Sequence, residues 1–202
     1  MDYNGASGCA MLLVTGFEPF GGLPHNPSAA LLPLLPQRVG NRPVHTALLP
    51  VDAEALPETL RSLHALSPEG VLHLGLAANR SLITLERLAV NLLDFDQPDN
   101  RGTLKLDEEV VPNGPLALPA RFPIKEGLRR LQEAGIPARA SLSAGSYLCN
   151  QAFYLSLFHL PTSVPVLFVH LPSDETLARE KGGPYVPLSE QARAVEILLE
   201  ML

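Results

Sequence analysis

With 202 residues the chain is long enough to bury a sizeable core, and its 46% hydrophobic and 18% charged content argues against a disordered segment. A formal net charge of -6, with no Lys/Arg-rich run, argues against a binder of nucleic-acid backbones. No apolar run approaches the length that spans a bilayer, and the two cysteines, Cys9 and Cys149, make neither a disulfide framework nor a metal-type spacing.

The twenty prolines fall mainly at expected element ends, as at Pro27, Pro50, Pro112 and Pro172, so they punctuate the chain rather than build a linker. The reading is one domain over residues 1–202 with a frayed tail over 1–8. The first basic side chain is Arg38, so the start lacks the charged segment of a secretory signal. A cytoplasmic, reducing compartment is expected, where a free thiol persists.

Residues 10–15 read as a buried first strand ended by Gly16, followed by a loop over 16–22 that carries Phe17 and Phe20. Two rings in a Gly/Pro loop either plug it into the core or wall a pocket at a strand end, where open α/β sheets bind ligands. Asn26-Pro27-Ser28 starts a short helix, Pro27 suiting its first position. A second strand is expected over 44–49 and a helix over 52–66 with Asp52 as N-cap. Residues 70–76 read as a buried strand in which His73 is a satisfied core histidine. Residues 81–93 read as one more strand-like run. Within it Glu86 shares a face with Leu82, Thr84, Leu88 and Val90. A carboxylate there needs a partner, an arginine if its role is structural and a histidine if it is functional.

Residues 94–119 are rich in Asp, Asn, Pro and Gly and read as a long surface excursion. A helix over 123–134 ends at Gly135, and a short strand over 138–142 leads to Ser143-Ala144-Gly145-Ser146-Tyr147-Leu148-Cys149-Asn150. The apolar segment 151–160, stopped by Pro161, reads as a buried helix with Cys149 in its first turn. Free N–H groups and the helix dipole favour a thiolate there, whereas a lone cysteine beside Leu148 and Phe153 is ordinarily an inert core residue. A strand over 164–169 runs into His170-Leu171-Pro172, a good place for a histidine to meet a cleft, with His159 a weaker candidate. A helix over 188–202 closes the chain. This alternation predicts an α/β domain with a mainly parallel sheet.

Glu86, Cys149 and His170 form a possible catalytic set. The thiolate would attack, the histidine would move the proton, and the carboxylate would fix the histidine tautomer. Four stretches resemble, in order, the pyroglutamyl peptidase I (pyrrolidone-carboxylate peptidase) family of cysteine peptidases. They are Thr15-Gly16-Phe17-Glu18-Pro19-Phe20-Gly21-Gly22 with Asn26-Pro27-Ser28; Ile83-Thr84-Leu85-Glu86-Arg87-Leu88-Ala89-Val90-Asn91 with Pro98-Asp99-Asn100; Ala144-Gly145-Ser146-Tyr147-Leu148-Cys149-Asn150 with Phe153-Tyr154; and Phe168-Val169-His170-Leu171-Pro172. The likeness around them runs from about residue 10 to residue 175.

The resemblance implies removal of an N-terminal pyroglutamyl residue from peptides, with Cys149 as nucleophile, His170 as base and acid, and Glu86 as orienter. It implies a three-layer α/β/α sandwich with a twisted mixed, mainly parallel sheet of the phosphorylase/hydrolase-like kind. It also implies no cofactor or metal and, as is often the case in the family, a homotetramer, while the charge and the apolar runs predict no nucleic-acid or membrane partner. Phe17, Phe20, Leu76, Gln97, Tyr147 and Leu148 are expected to contact the substrate, the two Phe rings enclosing the lactam. Such a ring is small, flat and neutral, and an apolar slot with a few backbone partners suits it.

The chain departs from the family at several points. Leu76 stands for a usual Gln, Ala78-Asn79 for Gly-Gly, and Phe95-Asp96-Gln97 for Ala-Arg-Ile, while Ser173-Asp174-Glu175 lies where a Pro-Glu-Gln pattern is usual. Asp96 thus occupies the place of an arginine near the active site, with Arg80 or Arg101 as candidate replacements. Two alternatives stay open: the same fold acting on another small acyl amide, and a catalytically silent binding homologue.

Overall fold

Residues 11–202 are described by a computed structural model of the chain; the expected tail over 1–8 and Cys9 lie outside them. In chain order the elements are β1 (Leu12–Phe17), α1 (Pro27–Leu31), β2 (Arg38–Val39), β3 (Arg42–Leu49), α2 (Leu56–His64), β4 (Gly70–Leu76), β5 (Ile83–Glu86), β6 (Leu88–Val90), β7 (Ala117–Pro119), α3 (Ile124–Glu133), β8 (Ala138–Ser141), α4 (Leu148–His159), β9 (Val166–Leu171), α5 (Glu175–Lys181) and α6 (Leu188–Leu199). Seven strands form a mixed sheet in the order β2-β3-β1-β4-β9-β5-β8, and β6 and β7 pair as a separate ribbon. The β3-β1-β4-β9 pairings are parallel, as is β5-β8; β5 runs antiparallel to β9, and β2 to β3.

Strand alternation sends side chains to two cores, which makes the three layers. One face carries Leu12, Val14, Leu72, Leu74, Leu167 and Val169 against Leu31 of α1, Leu131 of α3 and Val195 and Leu198 of α6. The other carries Leu13, Val71 and Phe168 against Leu56 and Leu60 of α2 and Ala152 and Phe153 of α4. Both faces being covered explains why the inner strands read as unbroken apolar runs. α4 is apolar around most of its girth because the sheet, α2 and the β6-β7 ribbon all pack on it.

Several boundaries differ from the sequence reading. β1 does not stop at Gly16 but runs through Phe17, pairing with Leu49 of β3. A Cβ on Gly16 would stand 2.2 Å from Ser28 O, so glycine lets α1 close onto the strand rather than ending it. Asn26 caps α1 and accepts from Ser28 N–H, as expected. Asp52 accepts from the N–H groups of Glu54 and Ala55 and so caps a turn that feeds α2, which itself starts at Leu56. β3 begins two residues early at Arg42, β9 two residues late at Val166, and α6 stops at Leu199.

The run over 81–93 is two strands, not one. Arg87 N–H continues the β5-β8 ladder to Ser141 O, while its carbonyl accepts from Ala120 N–H in the ribbon. The excursion after it is only partly on the surface, since Phe95 and Asp99 are buried. α5 was not foreseen; Asp174 caps it through Leu177 N–H and Gly182, at φ 75°, follows it. Among the described residues no helix is long and apolar enough to cross a membrane.

His73 is a core histidine, as expected. It is fully buried in β4, with Nδ1 hydrogen-bonded to Thr15 Oγ1 at 2.7 Å and Nε2 to Ser156 Oγ at 2.8 Å. Burial first, and nearby His64 second, lower its pKa to about 3. The unfolded chain therefore takes up a proton near pH 6.5 that the folded chain refuses until about pH 3. The stabilisation is whole above pH 6.5 and is lost as pH falls towards 3, with roughly 2 kcal/mol gone by about pH 5. Urea unfolding of the wild type and His73→Gln at pH 7 and pH 5 checks this. The wild type should lose more stability than the variant between the two, and an equal loss would remove His73 from the account.

Candidate active site

The antiparallel pairing of β5 with β9 sets the geometry. Thr84 lies opposite His170, so Glu86, two residues on and on the same face, lies one step deeper in the sheet. Glu86 is fully buried and His170 nearly so. His170 Nδ1 lies 2.8 Å from Glu86 Oε1. An ionised carboxylate can only accept, so Nδ1 carries the proton and donates. Among the described residues Nε2 has no protein partner, which leaves it free as a base facing away from Glu86. Arg80, in the loop after β4, donates from Nη1 to the same Oε1 at 2.6 Å. The structural and the functional partner foreseen for Glu86 are therefore both present, on one oxygen.

Cys149 is the second residue of α4, and no side chain caps that helix end. The first-turn N–H groups are thus unclaimed by a cap and open to an anion. Asn150, fully buried, fixes this turn: its Oδ1 accepts from Val90 N–H, and its Nδ2 donates to the carbonyls of Val90 and Leu92, all within 2.9 Å. Gln151 Nε2 donates to Ala53 O, Ser146 Oγ to Asp94 O, and Tyr147 OH to Pro98 O. The cysteine turn is thereby strapped to the 94–98 segment, the one stretch of the long excursion that faces the cleft.

A cavity of about 690 Å³ opens at this edge of the sheet, lined by Cys149, His170 and Arg80 together with Phe20, Leu76, Gln97 and Tyr147. Asp94 and Asp96, both exposed, also line it. Phe20 and Tyr147 stand with ring centroids 6.1 Å apart, and Phe95 packs edge-on against Tyr147 at 4.6 Å. Arg101 instead pairs with Asp52 and does not line the cavity. Two residues expected at the substrate do not line it either. Phe17 is the inward-facing last residue of β1 and packs in the α2-α4 core, and Leu148 is turned into the same core by the helical rotation that exposes Cys149. Among the described residues no group of three or more His, Cys, Asp or Glu could hold a metal ion.

The electrostatics correct one expectation. The Cys149 thiol is pushed up to about 12, first by burial and then by the Glu86 charge, which outweigh the lowering by Arg80 and by the backbone N–H at the helix start. Burial also depresses His170, against the raising effect of Glu86. Glu86 is resisted by burial, but the hydrogen bond and charge of His170, with Ser141 and Arg80, hold it below the usual carboxylate range. These directions favour a neutral thiol, a neutral imidazole and an ionised carboxylate at rest.

A family profile described as pyroglutamyl peptidase matches residues 10–202. The pyrrolidone-carboxylate peptidase of Pyrococcus furiosus is 40% identical over 200 residues, covering 94% of this chain and 96% of its own length. That of Deinococcus radiodurans is 40% identical over 203 residues, covering 95% and 93%. A crystal structure of pyrrolidone carboxyl peptidase from Thermus thermophilus is 67% identical and superposes with a TM-score of 0.94 over 95% of this chain and 100% of that one.

Gly75 and Asn150 were not singled out by sequence reasoning. A glycine inside an apolar strand was the available signal for the first, since it marks a close approach. A Cβ there would stand 2.8 Å from Cys149 Sγ and 2.8 Å from Phe168 Cζ. Gly75 therefore makes the space that the sulfur fills beneath α4. Gly75→Ala should overpack this point and destabilise the fold by about 1–3 kcal/mol. A urea-unfolding midpoint equal to that of the wild type would show that the contact is not tight.

Proposed function

The chain belongs to the pyroglutamyl peptidase family, and from that premise we propose that it hydrolyses the bond after an N-terminal pyroglutamyl residue by a Cys149-His170-Glu86 mechanism. The observation that carries the proposal is the meeting, in one cleft, of a cysteine at an uncapped helix start with a histidine whose other nitrogen is fixed by a buried carboxylate.

Because the thiol and imidazole are both neutral at rest, attack and proton transfer go together. Sγ bonds to the pyroglutamyl carbonyl carbon as His170 Nε2 takes the thiol proton, and Glu86 steadies the imidazolium that forms. The carbonyl oxygen becomes an oxyanion, to which the unclaimed N–H of Cys149 at the start of α4 is placed to donate. His170 returns the proton to the leaving amine and the C–N bond breaks, leaving a thioester on Cys149. Water, deprotonated by His170, then attacks the thioester carbon, releasing pyroglutamate and restoring the thiol. The lactam ring lies against Phe20, Leu76 and Tyr147, with Gln97 as a polar contact, and the remaining volume takes the residues that follow.

One observation favours a second reading, hydrolysis of another small N-acyl amide. Leu76, Asp96 and Gln97 all line the cleft, at positions where the family's usual residues differ. A panel of N-acyl amides separates the two readings by their relative kcat/KM.

The direct test is turnover of a chromogenic pyroglutamyl amide by the wild type and by Cys149→Ala. The variant should lose about four orders of magnitude in kcat or more with its melting temperature nearly unchanged, since alanine suits a helix start. Substantial turnover by Cys149→Ala would reject Cys149 as the nucleophile.

A further inference from the structure

Beyond the three residues of the proposed mechanism, the cleft holds a cation, Arg80, that the mechanism does not use. We infer that Arg80 is a positioning residue: its guanidinium locks the Glu86 carboxylate against His170 through the single oxygen that all three share. The inference rests on the peptidase reading of this site.

The backbone places Arg80 for this. Ala77 N–H donates to Leu171 O at 2.8 Å, just past His170 on β9, and Arg80 N–H donates to Ala77 O at 2.9 Å. The loop that carries Arg80 is therefore stitched to the strand that carries His170. From there Nη1 reaches Glu86 Oε1 at 2.6 Å and also Thr84 Oγ1, two residues on one face of β5. Thr84 Oγ1 in turn lies 3.5 Å from the His170 carbonyl. One guanidinium thus braces the carboxylate, its strand and the neighbouring histidine strand.

Charge gives the reason. Glu86 is fully buried, and a buried carboxylate needs a full opposing charge or it takes up a proton. His170, depressed by burial, adds charge to its hydrogen bond only when it is protonated, whereas a guanidinium is charged throughout. Of the other groups that face the pair, Cys149 on α4 and Tyr147 before it are neutral, and Asp94 and Asp96 across the cleft are acidic. Phe168 packs against both His170 and His73 and so fills the side towards the core. Arg80 is the one cation that lines the cleft among the described residues. Together with His170 and Ser141 it keeps Glu86 ionised, so that Glu86 can hold His170 with Nδ1 protonated and Nε2 bare. The same charge opposes protonation of His170 and favours the thiolate of Cys149.

The test uses the full chain as wild type, Arg80→Gln and Arg80→Lys. The first arm is the pH profile of kcat/KM for a pyroglutamyl amide, with kcat and KM separated. The second is the pH profile of iodoacetamide alkylation at Cys149, read by peptide mass mapping so that Cys9 is not counted. Arg80→Gln should move the acid limb of kcat/KM up by about one pH unit, about tenfold in rate on the acid side. The loss should lie in kcat with KM little changed, and the alkylation profile should move to higher pH. Arg80→Lys should restore most of both shifts. A lower melting temperature with both profiles unmoved would reduce Arg80 to a structural brace and overturn the inference. A loss confined to KM would make it a substrate contact and overturn it equally. If the wild type itself fails to turn over the amide, the peptidase reading fails, while the alkylation arm, which needs no substrate, still decides the role of Arg80.

Discussion

One oxygen atom, Glu86 Oε1, organises the site. It accepts from His170 at 2.8 Å and from Arg80 at 2.6 Å while lying wholly out of water. A carboxylate so placed is tolerable only while both partners stay, because the desolvation cost of the ion exceeds what one neutral hydrogen bond returns. Its second oxygen, Oε2, makes no hydrogen bond among the described residues, so although the nearby Ser141 hydroxyl adds to the stabilisation, the balance rests mainly on Oε1. The surrounding fold can be understood as the means of holding that oxygen, the imidazole and the sulfur at fixed separations.

The sheet does this through one change of direction. Had β5 run parallel to β9, its C-terminal residue would have reached the rim beside His170. Running antiparallel, it sets Thr84 opposite His170 and buries Glu86 a step further in. The histidine is then at the mouth and its orienting carboxylate behind it, shielded from water. On the far side α4 is pinned by Asn150 to the β6-β7 ribbon and by Gln151 to Ala53, and Gly75 leaves the hollow in which the sulfur rests. The ribbon therefore belongs to the site's support even though none of its residues lines the cleft with a reactive group.

Much of this was legible in the residues. β4 fell where its apolar run predicts, and His73 proved satisfied by two hydroxyls, because an apolar run leaves a histidine little else to do. Where two effects competed, sequence alone could not weigh them. The helix start and burial act oppositely on the Cys149 thiol, and how deeply the sulfur sits is a property of Gly75, Phe168 and the sheet rather than of residues near it in the chain. The break at Arg87 was hidden because both flanking segments are apolar, and only the partners β8 and β7 distinguish them. Ending the first strand one glycine too soon put Phe17 in the loop and left core plug and pocket wall both open for it, and only the family resemblance set it beside the lactam. α5 is short and charged, and its cap, Asp174, stood in a stretch read for family likeness rather than for helix signals. Arg80 was visible as a charge near the site, but its bond to Glu86 spans a turn whose shape depends on Leu171 of β9.

The central claim is that a resting neutral Cys149, relieved of its proton by a histidine held on Glu86, carries the acyl group. Trapping that intermediate tests it most directly. Mixing the protein with excess pyroglutamyl amide, quenching in acid within the first turnover and mapping the modified peptide by mass spectrometry should find a pyroglutamyl thioester on Cys149 that disappears as substrate is exhausted. Turnover with no acyl group on Cys149 at any quench time, or with the group on another residue, would contradict the account.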